Sequence, residues 1–533
     1  MRCGLREGSQ REFYEAPLPM VDEVFKNLVD QFSDPFTCLR ELVQNAMDAG
    51  TEAVEIRTRY FDEPGGVVLE IRDFGSGMTR EIIDSKLTRL FASDKENDLT
   101  KIGKFGIGFV SVFSLKPELV TVDTGRDGEF WRIAFDGGTD FALFTLHEPL
   151  EGTSVRLHKI MPREGYDEFC TRCRDTLLLW CRHSGTAISF NGEPINADLE
   201  MSSVANVDFK GPLGRFCLGA KPDTPSSFGL YNTGLTLMEG HQDDWPGVDY
   251  KVLSNHLEHT LTRDAVIKDD NYQKVMACLK ELVLGELFEA VCQKLLSEAT
   301  QQACASEARP YLLWMKSQMT AAQKKRPMFL DAFGNPVSFK DLAKCAEDED
   351  RLFLSRSTEA LAQRATREGI PVLPWDPDSQ TASLCSALFE VPVVRLEESL
   401  AVSRTVARPA GFASLESALK ALLREGRLTV ASVTPVEYPE ATRLPDALPC
   451  TFAVGPERLV RRYRKGFWAT KYLLPQHLLL DVGHPLVRKA LTRLESPSNA
   501  RTIAYALCKS ALLSDGIDPA TESRLLSTLL ERA

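Results

Sequence analysis

The chain has 533 residues, and its 63 Lys and Arg against 75 Asp and Glu give a formal net charge of −12. At ~150 residues per domain that length implies three or four domains, and 43% hydrophobic with 26% charged residues is ordinary for a globular protein. Collagen-like, disordered and membrane-spanning classes are excluded, and the acidic balance argues against a general binder of nucleic acid or anionic membrane.

Residues 1–11 hold no apolar core of signal-peptide length, and no run approaches the ~18 apolar residues of a membrane helix, so a cytoplasmic protein is expected. The first strong signal is a helix over 39–49. Leu39, Leu42, Val43, Ala46 and Met47 fall on one side of it. Glu41, Asn45 and Asp48 share the opposite side, within an arc of about 60°. Two period-two segments follow, 54–61 and 67–72, joined by a turn containing Pro64, Gly65 and Gly66, and they predict a strand pair. Thr79 is placed to cap a helix running to about residue 91, with Glu81 in its first turn. Further strands are expected at 119–123, 130–135 and 154–157. The first 190 residues therefore predict an α/β sandwich, a sheet covered by helices.

A second α/β region is expected to open near 186–195 and to run through a helical stretch at 272–298. A basic stretch at 323–326 leads into a β-α-β pattern with strands at 351–354 and 371–373 and a helix at 359–367. The last region opens with a helix at 415–423 and closes with helices at 500–514 and 522–532, separated by Asp515 and Gly516. The expected division is a first domain over 1–190, a middle domain over 191–405 and a mostly helical last domain over 406–533. Thirteen scattered cysteines, an odd number, fit buried thiols in a reducing compartment rather than a disulfide framework. Cys170 and Cys173 have no second pair at zinc spacing, so an amphipathic helix explains them better than a metal does.

Three short constellations occur in order within the first domain: Glu41 to Asp48 (ELVQNAMD), Asp73 to Met78 (DFGSGM), and Ile102 to Phe109 (IGKFGIGF). Each has a physical use in holding ATP. A carboxylate ending a buried strand, Asp73, can accept the exocyclic amine of adenine. Gly75 and Gly77 let backbone pass close beneath a flat base, where a β-carbon would clash. Gly103, Gly106 and Gly108, with Lys104, Phe105, Ile107 and Phe109 between and after them, form a loop that can turn backbone N–H groups towards phosphate oxygens. Asn45 can ligate Mg²⁺ through its neutral amide oxygen. Glu41, a helical turn earlier, is then placed to polarise a water for attack on the γ-phosphate. Singly, each feature is commonplace: a Gly-x-Gly is usually a turn, and Glu41 with Asn45 a solvated helix face. Their order and context carry the reading. No Gly-x-x-x-x-Gly-Lys-Ser/Thr motif is present, which excludes a P-loop enzyme.

These segments resemble the N, G1 and G2 boxes of the GHKL ATPases (gyrase, heat-shock chaperone, histidine kinase and MutL), and the third, with Ser111, Val112 and Phe113, most resembles the heat shock protein 90 family of bacterial type. The resemblance implies a Bergerat-type α/β sandwich and adds Asp48, Met78 and Thr153 to the nucleotide site, Thr153 through the Gly152-Thr153 pair. Downstream, Leu261-Thr262-Arg263-Asp264 is similar to the middle-domain segment carrying that family's catalytic arginine, which implies that Arg263 completes the site in the manner of an arginine finger. The stretches 351–376, 478–487 and 511–516 resemble its later middle-domain unit and its C-terminal dimerisation domain. That resemblance favours reading the stripe Leu525, Leu526, Leu529 and Leu530 as half of a dimer interface rather than as core. His484 reads as structural.

The implied protein is a homodimeric, ATP- and Mg²⁺-dependent chaperone that acts on unfolded or partly folded clients. Several residues depart from the pattern. Lys86 stands where the family has asparagine, and Ala92 where it has lysine. Only nine residues separate Ser93 from Gly103, too few for a two-helix lid; Lys95 or Lys104 reaching the phosphates is one way to seal the site, and plain exposure is the commoner role for both lysines. The rival reading is a GHKL clamp on nucleic acid, MutL- or microrchidia-like, of the kind used in genome defence; the net charge of −12 counts against it.

Overall fold

The computed structural model describes residues 11–14, 29, 34–87, 108–137, 140–222, 225–258, 265–356, 360–426, 428–438, 448–453, 459–461, 477–493, 497–514, 523 and 525–527. It is a multidomain α/β protein, as the sequence predicts.

The first region is built on a nine-stranded sheet. Its strands are β1 (Arg11–Tyr14), β2 (Ala53–Phe61), β3 (Gly66–Asp73), β4 (Leu119–Arg126), β5 (Glu129–Phe135), β6 (Phe141–Thr145), β7 (Gly152–Ile160), β8 (Ala187–Phe190) and β9 (Glu193–Pro194). They lie in the order β1-β6-β5-β4-β7-β3-β2-β8-β9. Every pairing is antiparallel except β2 with β8. Alternation sets the two faces. Val54, Ile56, Val67, Leu69, Ile71, Val120, Val122, Ile133, Phe135, Val155 and Leu157 are all buried on one of them. Helices α1 (Cys38–Asp48) and α2 (Tyr166–Cys181) cover that face with Leu39, Leu42, Val43, Phe169, Cys173 and Leu177, and the whole forms one hydrophobic cluster. Arg40, almost fully buried on the covered helix, places its guanidinium 4.5 Å from the centre of the Trp180 ring.

The opposite face of the sheet is ionic. Arg156 bridges Glu70 and Asp123 at 2.7 Å each, and Arg132 reaches Asp123 at 2.6 Å.

The segment 186–195 differs from expectation. It does not open a second region but adds β8 and β9 to the first sheet, because β8 pairs in parallel with β2 from Ala53↔Ala187 to Ile56↔Phe190. The helix expected from Thr79 to about residue 91 is, over the described residues, a single turn, Arg80–Ile82, running into a π-helical turn, Ile83–Leu87, and 88–91 lie outside the described residues. Thr79 caps it as expected, accepting from the Ile82 N–H.

The second sheet has five strands, β10 (Asn206–Gly211), β11 (Gly214–Ala220), β12 (Ser226–Asn232), β13 (Leu235–Gln242) and β14 (Val248–Leu253), in the order β10-β11-β14-β12-β13. The two-residue loop between β12 and β13 has positive φ at both Thr233 (50°) and Gly234 (89°), the conformation of a type I′ hairpin. This hairpin reaches back to the first region. Leu235 is 3% exposed and packs within the first region's core, and Thr236 donates to the carbonyl of Leu179 at the end of α2 at 2.7 Å.

Helices α3 (Asp270–Leu284), α4 (Glu286–Leu296) and α5 (Glu298–Glu307) divide the helical stretch expected at 272–298, with Gly285 and Ser297 at their junctions. The expected β-α-β unit is present as Leu352–Leu354, Ala360–Arg367 and Val372–Leu373, its two strands parallel. One continuous core runs through this part of the chain.

The last region has the expected helices, Phe412–Glu425 and Pro497–Ser514, but also a four-stranded sheet that the sequence does not announce. Its strands are two to six residues long, and Pro435 interrupts one of them, so period-two patterning has little room to register. Leu525 is fully buried in this region's own core, so it is core rather than interface. Leu526 is exposed, and Leu529 and Leu530 lie outside the described residues. His484 is structural, its ring accepting from the Leu486 N–H at a helix start.

Candidate functional site

The site begins with helix α1. Its apolar stripe sinks into the sheet and turns the Glu41, Asn45 and Asp48 side outward in a graded way. Glu41 is 4% exposed, Asn45 half-buried and Asp48 exposed. The helix ends at Ala49, and the chain turns through Thr51 into β2. The Thr51 hydroxyl donates to the carbonyl of Ala53 at 2.7 Å and accepts the N–H of Phe74 at 3.0 Å. One threonine thus ties the end of the helix to the glycine turn that follows β3.

That turn is drawn against α1. The Ser76 N–H donates to the Ala49 carbonyl at 3.0 Å, and a β-carbon on Gly75 would lie 2.7 Å from the same oxygen. Gly77 has φ +60°, and a β-carbon there would be 2.1 Å from the Gly125 carbonyl of β4. The turn therefore packs backbone on backbone on both sides, which requires glycine. The sequence anticipates both glycines as close-approach positions; here the approach is to the end of α1 for Gly75 and to β4 for Gly77.

Asp73 closes β3 and stands beside Thr153 of β7. Its Oδ1 accepts from the Gly75 N–H at 2.9 Å and the Thr153 N–H at 3.2 Å. Among the described residues, Oδ2 has no hydrogen-bond partner. Burial pushes the carboxyl above the usual range, and the two N–H donors only partly offset this. Met78 is held by its own N–H, which donates to the Thr124 hydroxyl at 2.9 Å.

Of the third constellation, Gly108 and Phe109 are described. Both are buried, Phe109 in the core and Gly108 against the Glu41 carboxylate. The Gly103, Lys104, Phe105, Gly106 and Ile107 positions and Arg263 lie outside the described residues. The structure thus brings Asp73, Gly75, Gly77, Met78 and Thr153 together at one end of the sheet. The C-terminal end of α1 stands against them, and Glu41 lies beside Gly108.

Thr51 and Thr124 are missed by motif reading. Thr124 carried a signal: it is polar at the inward-facing position that continues Val120 and Val122.

ATP fits this frame. Asp73 offers an acceptor set beside a hydroxyl, and the glycines hold the turn close against α1 and β4. A magnesium ion fits differently. Among the described residues no group of three or more His, Cys, Asp or Glu is placed to hold a metal; half-buried Asn45 would hold the ion through its one neutral amide oxygen.

Residues 33–139 match the family described as histidine kinase-, DNA gyrase B- and HSP90-like ATPase. The chain is similar to the chaperone protein HtpG of Methylococcus capsulatus, 34% identical over 161 residues, which is 25% of each chain. It is also similar to the chaperone protein HtpG of Cupriavidus metallidurans, 29% identical over 206 residues, or 32% of each. The aligned stretch thus spans a third or less of the length of these relatives. The ATPase-family match thus covers part of the first region, and over a third or less of its length the chain is similar to bacterial chaperones of this name.

Proposed function

We propose that the protein is an ATP-dependent molecular chaperone of the heat shock protein 90 type, working in the cytoplasm as a homodimeric clamp on unfolded or partly folded clients. In this reading the first domain binds ATP, the middle domain supplies Arg263 to the γ-phosphate, and the last domain dimerises. Asp73 and Thr153 hold the purine, with Gly75, Gly77 and Met78 beneath it. Asn45, with Asp48 at the same rim, orients Mg²⁺ and its phosphates. Residues 103–109 wrap the phosphates with backbone N–H groups, and Glu41 takes the proton of the attacking water. Mg²⁺, when bound, neutralises phosphate charge. Because ATP would touch both Asp73 and Arg263 only in a closed clamp, it favours closure by its differential affinity for that state.

The observation that supports this most is the half-satisfied Asp73 carboxylate, one oxygen fixed by two backbone donors and the other left for a ligand. Turnover assays on the wild type and Glu41→Ala, each with an unfolded model client or with duplex DNA, test the proposal. Hydrolysis lost in Glu41→Ala with binding kept, and turnover raised by the client, is expected. Salt-dependent stimulation by DNA instead would transfer the ATPase to the nucleic-acid clamp reading.

A further inference from the structure

Three side chains stand abreast across three neighbouring strands: Thr124 of β4 opposite Thr153 of β7, and Thr153 opposite Asp73 of β3. Thr124 is 0% exposed, so its hydroxyl must be satisfied within the protein. A threonine hydroxyl has one proton and two lone pairs. One lone pair takes the Met78 N–H at 2.9 Å. The proton has two acceptors in range, the Gly152 carbonyl at 3.3 Å and the Thr153 hydroxyl at 3.1 Å.

The choice decides what Thr153 shows to the pocket. If Thr124 donates to Gly152, Thr153 must donate to Thr124 and turns only lone pairs outward, beside a carboxylate that is itself only an acceptor. If Thr124 donates to Thr153, the Thr153 proton is released into the pocket. The second arrangement uses the shorter contact and avoids setting acceptor beside acceptor. It leaves an acceptor, Asp73 Oδ2, next to a donor, the Thr153 hydroxyl.

That order matches one kind of purine edge. A 6-aminopurine offers an amine donor beside an unprotonated ring nitrogen. A 6-oxopurine offers a carbonyl beside an N–H, the reverse polarity. We propose that Thr124 is a positioning residue that fixes the hydrogen-bond polarity of Thr153 and so makes the site select adenine over 6-oxopurine nucleotides. This rests on the ATP-site reading above.

Titration calorimetry of the full chain with Mg·ATP and with Mg·ITP, the inosine nucleotide, tests it. Thr124→Val should weaken ATP binding by about tenfold, the scale of one lost hydrogen-bond preference in a site built for it, while changing ITP binding by less than about twofold. Thr124→Ser, which keeps the hydroxyl, should restore the wild-type ratio. In a Thr153→Val background, adding Thr124→Val should cost less than about twofold more, because the effect passes through Thr153. If Thr124→Val does not give a cooperative thermal transition, Thr124→Ala carries the same comparison. Equal loss for both nucleotides, or effects of the two threonines that simply multiply, would overturn the inference. A wild-type chain that binds neither nucleotide overturns the ATP-site reading itself, whereas a wild type that binds ATP with a ratio untouched by Thr124→Val or Thr124→Ala overturns only the role of Thr124.

Discussion

Glu41 and Gly108 are in direct contact: a β-carbon on Gly108 would lie 2.8 Å from Glu41 Oε2. The first and third constellations, 67 positions apart, therefore meet at the residue assigned to water activation, and only a glycine leaves its carboxylate where it is. The obstacle is the far end of a flexible side chain, so Gly108→Ala should fold and displace the carboxylate rather than break the core. Misplacing a catalytic group by about 1 Å costs on the order of a hundredfold in rate. The expected result is turnover lowered by ten- to a hundredfold with ATP affinity nearly kept, read by a coupled phosphate assay beside calorimetry. Unchanged turnover would remove Glu41 from the reaction.

Asp73 gives a prediction with a pH sign. Burial raises its pKa in the nucleotide-free protein, whereas accepting an amine favours the ionised form. As pH falls through the raised value, binding must first expel a proton, so affinity should drop by up to tenfold per unit, beginning above the ordinary carboxylate range. Proton release shows as a dependence of binding enthalpy on buffer ionisation heat. Asp73→Asn should abolish both the binding and the effect.

How much of this was legible in the sequence depends on the range of the interactions. Helix α1 and strands β2 and β3 follow from local periodicity and their bounds agree within a residue, whereas β4 and β7 run three residues past their expected ends. Thr124 and Thr51 escape motif reading because their work is done across strands, by bonds to Met78 and Phe74 that only the folded register creates. The hairpin 187–194 is misplaced for the same reason. Nothing local says that β8 will pair with β2, more than a hundred residues earlier. Leu525 is ambiguous on a helical wheel because a stripe looks the same whether its own chain or another covers it.

The hairpin between β12 and β13 packs directly against the end of the first core. A β-carbon on Gly234, at φ +89°, would lie 2.3 Å from the carbonyl of His183, and Ser184, the next residue, reaches Met47 of α1 at 3.5 Å. Gly234→Ala combines a strained backbone with a backbone clash, neither of which a side-chain rotation relieves. It should part the hairpin from the end of α2 and expose the 182–186 segment to limited proteolysis. Leu235→Ala should cost about 2–4 kcal/mol, as for other buried leucines, read from chemical unfolding monitored on the first region. A wild-type cleavage pattern in Gly234→Ala would show that the two regions do not depend on this contact.

The ionic face of the first sheet predicts acid sensitivity. Burial alone would raise the Asp123 pKa, but hydrogen bonds and charge from Arg132 and then Arg156 outweigh it and hold the carboxyl below its usual range. Glu70 is lowered in the same way by Arg156. A depressed folded-state pKa contributes stability that is fully present above the unfolded carboxylate value and is lost as pH falls through the folded one. Asp123→Asn should therefore destabilise the protein near neutrality. The cost should be about 1–3 kcal/mol, less than for a sealed ion pair because both arginines are partly exposed. The deficit should shrink as pH drops below about 4, where the wild type loses the same charge. A melting-temperature gap between the two proteins that stays constant well below that pH would place the stabilisation elsewhere than in the Asp123 carboxylate.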